Sequence, residues 1–144
     1  AEKSAEVTLE RDFINRIFTR IDQSIAMAAL FTAYHLKAKA IAALTQSGST
    51  ALWMSRLNCG VPIYALTPEI RTRYKTTLFR GVYPLLMRQV TADRDELLKE
   101  AEDLMISDGA VTPGDTIVMT VGEPIGSSGG TNTMKIVKLA AREE

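Results

Sequence analysis

The residues best suited to chemistry are six consecutive positions, Thr45 to Thr50, that read Thr-Gln-Ser-Gly-Ser-Thr. They follow a short apolar run and precede a short helical pattern. Backbone amides at the start of a helix have no partner within the helix, and together with the helix dipole they attract anions, while nearby hydroxyls add donors. The pattern therefore indicates a phosphate-binding loop. An ordinary strand-to-helix turn is the alternative, because helix starts favour the same residue types.

A second loop of unusual composition runs from Gly122 to Gly130. Its glycines permit the close approach of a backbone to a ligand and some mobility. We predict a flap that closes on a bound ligand, formed by Gly126, Ser127, Ser128 and Gly129. A flexible hairpin connection is the alternative. If the strands that precede the two loops are neighbours, Ser47 and Gly126 should lie close together.

No recognised catalytic arrangement is present in the sequence. Residues 126–130 match the spacing G-x-S-x-G, but a strand pattern rather than a helix follows them, and His35 is the only histidine. Neither loop carries the lysine of a P-loop, and no G-x-G-x-x-G opens a helix. The acidic residues between positions 93 and 103 lie on a charged helical pattern typical of a solvated face. We therefore predict no catalytic residue, metal or cofactor in this chain.

The apolar pattern predicts the fold class. Four short apolar runs separated by helical patterns, at 39–44, 61–66, 82–87 and 116–121, predict buried strands, and a fifth strand is predicted at 133–139. Parallel strands need long crossovers and helices on both faces of the sheet. We predict a three-layer α/β/α domain with a mostly parallel five-stranded sheet. Its last strand should be antiparallel because no helix precedes it, and Pro84 should place the third strand at an edge.

Capping patterns predict where the helices start. A capping box from Thr19 to Asp22 predicts the first helix, and Thr67-Pro68-Glu69 predicts a later one that ends near Gly81. Thr91 is predicted to cap the longer helix that follows the third strand.

Composition limits the domain count and the partners. With 144 residues, 46% of them apolar, one domain is expected, over 19–144, preceded by a lead-in helix or extension over 1–18. Seventeen basic residues balance seventeen acidic ones, which argues against nucleic acid as a binding partner. Cys59 is the only cysteine, and no apolar run could span a bilayer. We expect a cytoplasmic protein without membrane contact.

An ordered set of segments resembles a known family: Thr45 to Thr50, Val61 to Thr67, Gly114-Asp115 and Gly130 to Thr133. Together they resemble the C-terminal domain of pyruvate kinase, in particular of bacterial enzymes with a stretch like SGSTALWMSR. The resemblance extends from about Thr19 to Leu139.

The resemblance implies a regulatory role. It implies a domain that binds an allosteric sugar phosphate in the 45–50 loop and contributes to a homotetramer. The parent reaction, phosphate transfer from phosphoenolpyruvate to ADP in glycolysis, would use magnesium and often potassium on a separate β/α barrel. This chain is then expected to be inactive alone. A purely structural assembly domain, and an independent small enzyme, are the other hypotheses.

One residue limits the class of ligand that we expect. Some relatives carry an arginine or lysine in this loop where the chain has the neutral Ser49. We therefore expect a monophosphate rather than a bisphosphate: ribose 5-phosphate, glucose 6-phosphate or a nucleoside monophosphate.

Overall fold

The computed structural model describes residues 21–57, 60–87, 93–122 and 131–140. The helices and strands are, in chain order, α1 Ile21–Leu36, β1 Ala40–Leu44, α2 Ser49–Arg56, β2 Ile63–Thr67, α3 Ile70–Thr76, β3 Val82–Leu86, α4 Arg94–Ser107, β4 Thr116–Gly122 and β5 Thr131–Lys138. All five predicted strands are present, with ends that differ from the predicted ones by at most two residues.

The five strands form one sheet in the order β3-β2-β1-β4-β5. The first four strands are parallel to one another, and β5 is antiparallel to β4. The predicted sheet is confirmed, as are the edge position of β3 and the adjacency of β1 and β4. Pro84 is tolerated in β3 because an edge strand has a neighbour on one side alone.

The sheet separates two apolar clusters. On one face, α1 and α2 pack over alternate residues of β1 and β4, such as Ile41, Ala43 and Val118. On the other face, Leu97, Leu98, Ala101 and Met105 of α4 pack over Ala40, Ala42, Ile117 and Met119. Every residue of β1 is buried, as expected for a central parallel strand covered on both sides. The α/β fold with helices on both faces of the sheet is therefore confirmed.

Three predicted helix boundaries are wrong: the start of α4 and both ends of α3. The α4 cap is Asp93, whose carboxylate accepts hydrogen bonds from the amides of Asp95 and Glu96, and not Thr91. α3 begins only at Ile70, since Thr67 is still the last residue of β2, and it ends at Thr76 rather than near Gly81. The Thr67 hydroxyl does accept a hydrogen bond from the Glu69 amide, so it shapes the turn before the helix.

Several predictions lie outside the described residues: the lead-in over 1–18, Thr19 of the capping box, Cys59 and the flap residues Gly126, Ser127, Ser128 and Gly129. Within the described ranges, none of the helices has the length and apolar character that crossing a membrane requires.

Candidate functional site

The 45–50 loop lies at the carboxyl end of the sheet, at its centre. Thr45 directly follows β1, and α2 begins four residues later at Ser49. β1 and β4 are adjacent. From β1 the chain continues to β2 on one side of this pair, and from β4 it continues to β5 on the other side. Such a switch point is where open α/β sheets bind ligands. The Thr50 and Thr131 hydroxyls, 2.7 Å apart in a buried hydrogen bond, join the loop to the start of β5.

The loop is folded by its own hydroxyl groups. The Gly48 amide donates to Thr45 Oγ1 at 2.9 Å, and the Ser49 amide donates to Ser47 Oγ at 3.3 Å. Gly48 itself has a φ of 85°, a left-handed conformation that glycine adopts without the penalty of a Cβ. Two of the amides that we expected near a ligand are thus already bonded inside the loop.

Four other amides at this turn are available. Among the described residues, nothing accepts a hydrogen bond from the backbone amides of Gln46, Ser47, Thr50 or Ala51. Gly48, the N-cap residue of α2, has no side chain that could cap these amides. Because the first amides of a helix have no partner within it, they remain for water or an anion. The loop therefore combines amides that lack an acceptor among the described residues with the positive end of a helix dipole.

Helix α3 supports the loop from behind, which the sequence analysis missed. The Thr72 hydroxyl donates to the Gln46 carbonyl at 2.5 Å, and Lys75 Nζ lies 3.4 Å from the Ser47 carbonyl. Thr72 and Thr76 are buried although the rest of the helix is exposed. Two threonines four residues apart share one face of a helix. The spacing of the two threonines could have indicated a buried helix face, but the basic residues around them made the whole helix look exposed.

A buried carboxylate on α1 also contacts the loop. Asp22 is 2% exposed, and its Oδ2 accepts a hydrogen bond from Ser49 Oγ at 2.8 Å. The sequence analysis gave Asp22 the role of a helix-capping residue alone. Nothing in the sequence relates two positions 27 residues apart, because their contact depends on how α1 and α2 pack.

The remaining candidates lie elsewhere. His35 is near the opposite end of α1, where its ring stacks on Phe31 with centroids 4.2 Å apart. Burial, then the nearby Asp108 and Tyr83, raise the pKa of Tyr64, which packs on the α4 side of the sheet. Within the described part of the chain, no three His, Cys, Asp or Glu residues are grouped as a metal site would require.

The structure thus brings together all six predicted loop residues, Thr45, Gln46, Ser47, Gly48, Ser49 and Thr50, and adds Asp22, Thr72, Lys75 and Thr131 around them. The predicted proximity of Ser47 and Gly126 stays a prediction, because Gly126 lies outside the described residues. The role of the six residues in ligand binding also stays a prediction.

Comparison with known proteins gives a consistent match. The family model "Pyruvate kinase, alpha/beta domain" matches residues 23–137. Pyruvate kinase of Buchnera aphidicola subsp. Baizongia pistaciae is 35% identical over 140 residues, which cover 96% of this chain and 29% of that protein. Pyruvate kinase II of Salmonella typhimurium is 36% identical over 138 residues, covering 95% of this chain and 28% of its own length.

Pyruvate kinase of Sporosarcina psychrophila is 37% identical over 114 residues, 79% of this chain and 19% of that protein. The chain spans less than a third of the length of these relatives. The resemblance to the C-terminal domain of bacterial pyruvate kinases is confirmed. By family model and by identity over nearly its whole length, this chain belongs to the pyruvate kinase alpha/beta domain family.

Proposed function

We propose that this chain is the regulatory part of a pyruvate kinase and that its 45–50 loop binds the phosphate of an allosteric sugar monophosphate. The observation that carries the proposal is the set of four backbone amides, at Gln46, Ser47, Thr50 and Ala51, that have no acceptor among the described residues. They lie at a helix N-terminus and at the switch point of the sheet, where both the dipole and the topology favour an anionic ligand.

The hydroxyl groups would complete the phosphate site. Thr45 and Ser47 already orient the turn through the Gly48 and Ser49 amides. Thr45 and Ser47 have oxygens within the same turn, so a phosphate seated on those four amides would lie close to them, whereas the Thr50 hydroxyl is bonded to Thr131. The sugar would face the 126–129 flap. A monophosphate fits this site because no lysine or arginine occurs among residues 45–50.

Ligand binding would be transmitted through α3. The carbonyls of Gln46 and Ser47 contact Thr72 and Lys75, so a change in the backbone of the loop would shift these contacts. Regulation requires that the ligand bind one arrangement of the parent protein more tightly than another. The α3 contacts are a route by which that difference could reach neighbouring surfaces.

The parent activity follows from the family. The relatives are named pyruvate kinases, and we propose that the parent protein transfers phosphate from phosphoenolpyruvate to ADP in cytoplasmic glycolysis, in a homotetramer that uses magnesium and potassium. The resemblance implies that this reaction takes place on a separate β/α barrel. The chain alone should therefore show no turnover in a coupled pyruvate assay.

A thermal-shift screen tests the binding proposal. Ribose 5-phosphate, glucose 6-phosphate and AMP are added to the chain, with ribose, glucose and adenosine as controls. A ligand that binds only the folded chain stabilises it by about 2.7 kcal/mol at 100 times its Kd, so the melting temperature should rise by several degrees for a phosphorylated ligand alone. Equal shifts with the unphosphorylated sugars, or none with any phosphate, would contradict the proposal.

Lys75 provides a prediction about charge at the site. Its exposed ammonium lies 3.4 Å from the Ser47 carbonyl. Replacing Lys75 by methionine should weaken sugar-phosphate binding about threefold, since an exposed charge contributes up to about 1 kcal/mol. Calorimetric titration measures the change, with Arg73→Met as the matched control because residues two apart point to different sides of a helix. An equal loss of affinity in both variants would mean that the net charge of the helix, and not the position of Lys75, affects binding.

A second candidate function, subunit assembly, is favoured by exposed apolar side chains on α3, the turn after it and β3. These are Ile70 at 53%, Tyr74 at 64%, Leu78 at 85%, Tyr83 at 54% and Leu86 at 39% exposure. Large exposed apolar side chains are typical of protein interfaces when they lie together. Analytical ultracentrifugation of the chain and of its Leu78→Asp variant measures their oligomeric state and so tests this function. A self-associating chain that becomes monomeric on substitution supports it, whereas a monomer in both cases contradicts it.

A further inference from the structure

Helix α3 and the turn after it carry exposed apolar side chains with a basic residue on either side. Ile70, Tyr74 and Leu78 are 53%, 64% and 85% exposed, and we call these three residues the α3 stripe. Ile70 and Tyr74 share one side of α3 because they are four residues apart, and Leu78 follows at the same spacing. Arg71 and Arg73 are exposed on the two flanks of this side, as the helical rotation per residue requires.

A groove of about 520 Å³ lies along the second half of α4. Ile106, Pro113 and Leu139 are apolar residues of its lining, and Glu102 and Asp103 line it as well. We call it the α4 groove. Its volume is within the range of about 300–1,000 Å³ that is usual for binding pockets, so it has room for apolar side chains of a partner.

The two surfaces have opposite charges and lie on opposite faces of the sheet. Residues 70–80 contain four basic residues and no acidic one, whereas residues 93–108 contain seven acidic residues and two basic ones. One of those two, Lys99, also lines the α4 groove. Phe79, just after α3, packs into the cluster beneath α1 and α2, while α4 packs on the other face. The α3 stripe therefore cannot reach the α4 groove of its own copy.

We propose that the α3 stripe of one copy docks in the α4 groove of a second copy. The inference rests on the assembly function proposed above. Apolar residues four apart are how a helix commonly enters a groove, and here Arg71 and Arg73 meet the carboxylates of Glu102 and Asp103. Two α3 stripes in contact would instead oppose basic residues to basic residues, which weakens binding. Because two different surfaces meet, assembly continues into a ring or an open chain.

A charge-swap experiment tests the inference. One variant carries Arg71→Glu with Arg73→Glu, and a second carries Glu102→Lys with Asp103→Lys. Either variant alone opposes like charges, so its dissociation constant should rise at least about tenfold. Analytical ultracentrifugation should then find each variant monomeric where the wild-type chain is half associated. An equimolar mixture of the two variants pairs opposite charges at every contact, so it should assemble with about the wild-type affinity.

Two further variants serve as controls. Asp95→Lys with Glu96→Lys makes the same charge change on exposed positions of α4, about 10 Å along the helix from the groove residues, and should associate like the wild type. Glu102→Gln with Asp103→Asn removes the groove charges without reversing them and is used if the lysine pair melts early. It should weaken association about threefold.

The outcomes separate this inference from the assembly function. A wild-type chain that stays monomeric would overturn both. A wild-type chain that associates, with both charge-reversed variants associating equally well, would overturn the docking arrangement alone. A mixture of the variants that stays monomeric would do the same, as would an equal loss in the Asp95 and Glu96 control. Association that strengthens with added salt would also contradict the arrangement, because screening helps two basic surfaces to meet but weakens opposite ones.

Discussion

Replacing Ser47 by glutamate is expected to abolish sugar-phosphate binding, with a loss of at least about 100-fold, because a like charge placed against an anion costs several kcal/mol. Ser47 is at the centre of the turn, and its own amide has no acceptor among the described residues. The new carboxylate would lie near the start of α2, where the helix dipole favours it. The fold should therefore be retained while the ligand is excluded. Calorimetry and a melting curve measure the two effects together.

The matched control for Ser47→Glu is Ser107→Glu. Ser107 is an exposed serine at the end of α4, and it takes no part in the loop. This variant carries the same added charge and should bind the sugar phosphate with the wild-type affinity. Retained affinity in Ser47→Glu would show that the ligand binds elsewhere. Equal losses in both variants would assign the effect to net charge.

Replacing Gly48 by alanine should destabilise the chain by about 2 kcal/mol and lower its melting temperature by several degrees. Two costs combine. The φ of 85° is unfavourable for any residue with a Cβ, and an added Cβ would lie 3.2 Å from the Thr76 methyl carbon and 3.3 Å from that of Thr72. Both threonines are buried on α3, so neither methyl group can move away freely. Urea unfolding measures the change in the free energy of unfolding.

Gly109→Ala isolates the backbone part of this cost. Gly109 has nearly the same conformation, with φ of 84°, but a Cβ there would meet nothing within 4 Å. It should destabilise the chain by only about 1 kcal/mol. If the two variants lose equal stability, the packing of α3 against the loop is not as tight as the distances indicate.

The fold could be predicted from sequence because each strand is a short apolar run bounded by turn residues. β1 is buried along its whole length, so it appears in the sequence as a continuous apolar run rather than as an alternation of apolar and polar residues. Pro84 indicated one edge of the sheet, and the missing helix between β4 and β5 indicated the antiparallel strand. The helix ends were predicted less well: Asp93 rather than Thr91 caps α4, and Thr67 still belongs to β2, so α3 begins later than its sequence pattern indicated.

The centre of the site could be predicted, but its surroundings could not. Residues 45–50 are contiguous, so their chemistry is visible in one stretch of sequence. Asp22, Thr72 and Lys75 belong to two other helices and reach the loop only through packing. An aspartate is common at a helix start, and threonine and lysine are common on an exposed basic helix, so these residues gave no sign of a role at the loop. Local patterns therefore predicted the hydroxyl-rich turn, but not the buried carboxylate beside it or the helix that supports it.

The most direct test is an amide NMR titration of the isotopically labelled chain with ribose 5-phosphate. If the loop receives the phosphate, the largest shifts should occur at the amides of Gln46, Ser47, Thr50 and Ala51, with smaller ones on α3. Shifts confined to other parts of the sheet or to α4, or no shift at millimolar ligand, would contradict the assignment of these amides as the phosphate site.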